Sequence, residues 1–100
     1  MITVKVEKDG SNYKKISVLG HAMYDEIGKD IVCSAVSSIV ITTVNGILSL
    51  DKENLGYMVS KKGMIITVKS EDRTTRILLK NMISLLKDLE SKYSENIEVK

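Results

Sequence analysis

Ile2, Val4 and Val6 alternate with Thr3, Lys5 and Glu7, the two-residue period of a strand with one buried face. Asp9-Gly10 supplies a turn, and from Tyr13 to Leu19 a second alternating stretch carries Ile16 and Val18 on one face. The first twenty residues therefore read as a β-hairpin ending at Gly20. From His21 to Lys29 no period is visible, which predicts a loop that includes Asp25, Glu26 and Gly28. Asp30 then reads as a helix N-cap, its carboxylate placed to accept from amides of the first turn.

No charged residue occurs between Ile31 and Leu50, a run as long as the roughly 20 residues that cross a bilayer. Ser34, Ser37, Ser38, Thr42, Thr43, Asn45, Gly46 and Ser49 make it less apolar than a spanning segment, so it is expected to be a central helix covered by sheet and partner. Its β-branched residues are poor helix formers, which leaves tertiary packing to stabilise it. Leu55, Tyr57 and Val59, a Lys61-Lys62-Gly63 turn, and Met64, Ile66 and Val68 predict a second hairpin. Ser70 or Asp72 then caps a helix whose stripe is Ile77, Leu78, Met82, Leu85, Leu86, Leu89 and Tyr93, and Ile97 and Val99 suggest a short last strand. The expected fold is α+β, a single domain over residues 1–100 in ββαββα(β) order, with two helices packed on one face of an antiparallel sheet. No internal repeat or linker divides the chain.

Composition narrows the function classes. Hydrophobic residues at 43% and charged residues at 28% are ordinary globular values. A net charge of +2 is far from the basic surface of a protein whose main task is neutralising phosphates, and four scattered tyrosines without Phe or Trp form no stacking platform. A nucleic-acid substrate is not expected. A single cysteine forms no internal disulfide, and the alternating start lacks the pattern of a secretory leader, so a cytoplasmic protein is expected.

That cysteine, Cys33, lies three residues after Asp30, in the predicted first turn of the helix, where unpaired amides and the helix dipole favour a thiolate. His21, the one histidine, precedes it by twelve positions at the end of a strand, and the intervening loop can fold back toward the helix start. In that arrangement His21 takes the thiol proton, Cys33 attacks a carbonyl carbon, and amides of the helix start, those of Cys33 and Ser34 among them, hold the oxyanion. Spacing alone favours the plainer reading, a packed cysteine and a surface histidine.

The wording around the two residues is more specific. Gly20-His21-Ala22, then Gly28-Lys29-Asp30, then Ile31-Val32-Cys33-Ser34-Ala35-Val36-Ser37 resembles the ribosomal-processing cysteine protease family along essentially the whole chain. The resemblance implies a His21 and Cys33 dyad and, as substrate, the precursor of bacterial large-subunit ribosomal protein twenty-seven, whose N-terminal extension is removed after a pair of aromatic residues. It also implies a homodimer. Ser34 departs from the family, which more often has Ala after the nucleophile. Asp30 either caps the helix or orients His21, and its position before the helix favours the cap. Gly20 and Gly28 bracket the His21 to Ile27 loop, as hinges of a lid over a peptide or as residues of tight turns. Met23 and Tyr24 are candidates for a pocket that accepts an aromatic side chain.

Two rivals differ in class. A metal site assembled from His21, Asp25, Glu26 and Cys33 has suitable ligand types but neither a second histidine nor a paired-cysteine motif, and no metal or other cofactor is expected. The other is a non-enzymatic protein that docks on the ribosome, with Cys33 merely packed.

Overall fold

Alternation in the first two segments produces the expected hairpin. Strands β1 (Ile2–Asp9) and β2 (Asn12–Leu19) pair antiparallel, with Val4 opposite Val18 and Val6 opposite Ile16. The computed structural model describes residues 1–20, 29–69 and 72–100. The register shifts once between Glu7 and Lys8, so that Lys15 and Tyr13 face consecutive residues and Lys14 is the extra residue of a bulge. Strict alternation from Ile16 would turn Tyr13 to the outer face. The bulge turns it inward instead, where it is 9% exposed.

Helix α1 (Lys29–Leu50) follows, then β3 (Leu55–Ser60), β4 (Gly63–Val68), α2 (Arg73–Lys92) and β5 (Ile97–Val99). The five strands lie in the order β3-β4-β2-β1-β5. The expected order and the antiparallel pairing of the first four strands are present, and the last strand makes the sheet mixed by adding parallel to β1. Ile2 faces Ile97 and Val4 faces Val99. A Glu90 carboxylate oxygen accepts the Val99 N–H at 2.8 Å, tying the end of α2 to this short edge strand.

Both helices cover the face of the sheet that carries Val4, Ile16, Val18, Met64 and Ile66, and these residues form one core with them. Helix α1 contributes Val32, Cys33, Val36, Val40, Val44 and Ile47, a stripe at three- and four-residue steps. Its other side is open in the single chain, with Ile31 62% and Ile41 42% exposed and Ser34, Ser38, Thr42 and Asn45 also at the surface. By length and composition α1 is a helix that passes for a membrane span, but its buried stripe belongs to the core of this fold. The Thr43 hydroxyl donates to the Ile39 carbonyl at 2.8 Å, which satisfies one of its polar groups locally.

Helix α2 is capped by Asp72, whose carboxylate accepts the Thr75 N–H at 2.7 Å. Its inward residues are Thr75, Leu79, Met82, Ile83 and Leu86. The expected stripe is thereby rotated: Leu79 and Ile83 replace Ile77 and Leu85, which are 54% and 42% exposed. So many apolar residues crowd residues 77–89 that several stripes satisfy a helical period, and the sheet selects one of them.

A buried polar knot joins three connections. Asn54, 4% exposed, donates its side-chain amide to the Thr75 hydroxyl at 3.0 Å and, more weakly, to Asp72 at 3.5 Å. Its backbone N–H reaches the Asp51 carbonyl and its carbonyl accepts from Lys69. The turn after α1, the end of β4 and the start of α2 are thus fastened at one residue.

Candidate active site

Two elements position the candidate site. Strand β2 ends at Leu19, opposite Gly63, and the Gly20 N–H donates to the Lys62 carbonyl at 3.1 Å. Gly20 has φ +77°, a left-handed conformation, and a Cβ there would overlap the Met1 carbonyl oxygen. Close backbone approach therefore accounts for this glycine. His21 and Gly28, and with them the proposed lid, Met23, Tyr24, Asp25 and Glu26, lie outside the described residues.

The second element is the start of α1. The helix begins at Lys29, so Asp30 is its second residue rather than its N-cap, two residues earlier than the start at Ile31 that a cap at Asp30 implies. Cys33 is consequently the fifth helical residue, at the start of the second turn. By the four-residue hydrogen-bond repeat, the amides of Cys33 and Ser34 are committed to the carbonyls of Lys29 and Asp30. The amides that a helix starting at Lys29 leaves unpaired are those of Lys29, Asp30 and Ile31, which precede the pair named from the sequence.

Cys33 is 8% exposed, at the edge of the core with Val32 and Val36, whereas the next residue, Ser34, is exposed. Ser37 stands one turn beyond Cys33 on the same face, a position that sequence reading quoted within a motif but gave no role. Among the described residues no three His, Cys, Asp or Glu side chains cluster as a metal site.

Sequence and fold are both shared with known proteins. Residues 1–98 match the sequence model of the cysteine protease Prp family. The chain belongs to that family.

Among its relatives, the Staphylococcus aureus ribosomal processing cysteine protease Prp is 30% identical over 103 residues, covering 99% of this chain and 97% of the relative. The crystal structure of S. aureus Prp in complex with a substrate peptide superposes with a TM-score of 0.88 at 26% identity, over 100% of this chain and 98% of that one. A second S. aureus Prp structure, with a covalently linked product peptide, gives a TM-score of 0.83 at 28% identity, over 99% of this chain and 97% of that one. The Prp assignment makes the chain an enzyme, a cysteine protease.

Proposed function

We propose that this Prp-family protease uses Cys33 as nucleophile and His21 as general base and acid to remove the N-terminal extension of the precursor of large-subunit ribosomal protein twenty-seven. One observation carries the assignment of the dyad: a cysteine protease requires a cysteine, and the chain has one cysteine and one histidine.

His21 accepts the Sγ proton as the sulfur bonds to the scissile carbonyl carbon, and the carbonyl oxygen becomes an oxyanion held by amides of the first turn, before Cys33. Collapse breaks the C–N bond, the leaving amine takes the proton from His21, and the new N-terminus departs. Water then attacks the thioester as His21 removes its proton, and the proton returns to sulfur as the extension leaves as a carboxylate. The peptide complexes of S. aureus Prp support a peptide substrate. The ribosomal role named for that relative supports the choice of a ribosomal protein precursor. The proposal further places cleavage after an aromatic pair, in the cytoplasm and close to the assembling ribosome.

The uncharged outer side of α1 fits a homodimer interface. Ile31 and Ile41 with Ser34, Ser38 and Asn45 present a smooth surface on which two helices can pack closely. Light scattering at high concentration should give twice the chain mass, and an Ile41→Glu variant should give the monomer.

The dyad is tested by a substrate-sequence peptide that ends in an electrophilic ketone at the scissile position, followed by digestion and mass mapping. The adduct is expected on Cys33 and is expected to form far more slowly in His21→Ala. Labelling at equal rates in both proteins would contradict the role of His21.

A further inference from the structure

At the opposite end of β2 from Gly20, a cleft of about 380 Å³ opens between the hairpin turn and the first turns of α2, lined by Lys8, Ser11, Tyr13, Arg73, Arg76, Ile77 and Lys80. Arg73, Arg76, Ile77 and Lys80 fall at i, i+3, i+4 and i+7, so the helix presents its three cations in one row about 10 Å long. Lys8 faces them from β1, its Nζ 5.1 Å from the centroid of the Tyr13 ring. Among the described residues no carboxylate lines the cleft.

No carboxylate among the described residues forms an ion pair with these cations. Among the described residues the one ion pair joins Lys100 to Glu98, and neighbouring Asp72 is engaged with Thr75 and Asn54. Four like charges around one cavity repel one another, and a bound anion relieves that repulsion. We propose that this cleft is a binding site for the phosphate backbone of a single-stranded nucleic acid.

The lining selects this occupant over an acidic peptide. Peptides gain affinity from an open strand edge or from apolar pockets, and the cleft has neither: its walls are a helix face and a hairpin end, and its one aliphatic side chain is Ile77. Guanidinium forks and ammonium groups in a row match successive phosphates, and a cleft between two elements admits a single strand more readily than a duplex. Tyr13 is too buried to stack with bases, so binding is independent of sequence. Strand β2 separates the cleft from Gly20 by about 25 Å, which allows nucleic acid and a peptide at the active site to be bound together. The site does not rest on the protease reading, since binding is measured without cleavage.

The test is fluorescence anisotropy with a labelled mixed-sequence RNA of about 12 nucleotides, the same sequence as DNA, an acidic peptide of equal length, and inorganic phosphate as competitor. Three to four phosphate contacts give a slope of log K against log salt of about −2 to −3. The double variant Arg76→Ala/Lys80→Ala, at two exposed positions, should lower affinity about 25-fold at ~0.1 M salt and make the slope shallower by about 1.4. The equally charged Lys87→Ala/Lys92→Ala variant, at the far end of α2, should bind as the parent does. RNA and DNA should bind alike. Equal losses in the two double variants, tighter binding of the acidic peptide, inorganic phosphate competing at the oligonucleotide's own concentration, or no binding at low salt would each overturn the proposal.

Discussion

Replacing Asn54 with Ala removes the side chain that fastens the turn after α1 to the cap of α2. The Asn54 amide makes one well-formed hydrogen bond, 3.0 Å to the Thr75 hydroxyl, and a long one of 3.5 Å to Asp72. Losing the first costs about 1 kcal/mol net, and stranding the Thr75 oxygen, 2% exposed, adds about 1 kcal/mol because water cannot replace the donor. About 2 kcal/mol in a domain of this size lowers Tm by roughly 8–16 °C. Thr75→Val removes the other partner. If the hydrogen bond is the cause, the double variant should be more stable than the sum of the two single losses, by about 1 kcal/mol or more in a denaturant-based cycle. Strict additivity would refute the reasoning, because it would mean that Asn54 and Thr75 stabilise the fold independently.

Gly20→Ala and Gly10→Ala both force a side chain into a left-handed conformation, at about 1–2 kcal/mol. A Cβ on Gly10 meets nothing within 4 Å, whereas one on Gly20 meets the Met1 carbonyl. Urea melts should therefore show the larger loss for Gly20→Ala, and equal losses would dismiss the contact with Met1. Leu86, fully buried between α2 and the sheet, should cost about 3 kcal/mol as Leu86→Ala in the same melts. Hydrogen bonds from the Thr75 backbone N–H and then its hydroxyl lower the pKa of Asp72. A lowered native pKa gives stability that is present above the ordinary carboxylate range and lost as pH falls through the native value. The advantage of the parent over Asp72→Asn, which keeps the cap oxygen, should shrink between about pH 7 and pH 2; an unchanged difference in thermal melts would exclude the ionised cap.

Much of this architecture is legible in the sequence because its strands are short, alternate cleanly and end at Gly10 and Gly63, and because the uncharged run of α1 has no other place in a small fold. The bulge at Lys14 is not legible: nothing local distinguishes an inward Tyr13 from an outward one until β1 supplies the register. The exchange of Leu79 for Ile77 in the buried stripe of α2 has the same origin, since a helix with apolar residues around much of its circumference is oriented by the sheet. At the proposed active site, His21 and Cys33 stand out in the sequence by being single and by the motifs around them. The start of α1 at Lys29 does not, and two residues of boundary move the unpaired amides of the first turn back to Lys29, Asp30 and Ile31, before Cys33. The Asn54 knot and the basic cleft join residues far apart in the chain, and only folding brings them together.

The central claim is tested most directly by incubating the protein, and separately a folded Cys33→Ala variant, with a peptide spanning the extension and the mature start of large-subunit ribosomal protein twenty-seven, and weighing the products by mass spectrometry. The account predicts cleavage at one bond, after the aromatic pair, by the parent alone. An intact peptide with the folded parent, or equal cleavage by Cys33→Ala, would contradict it.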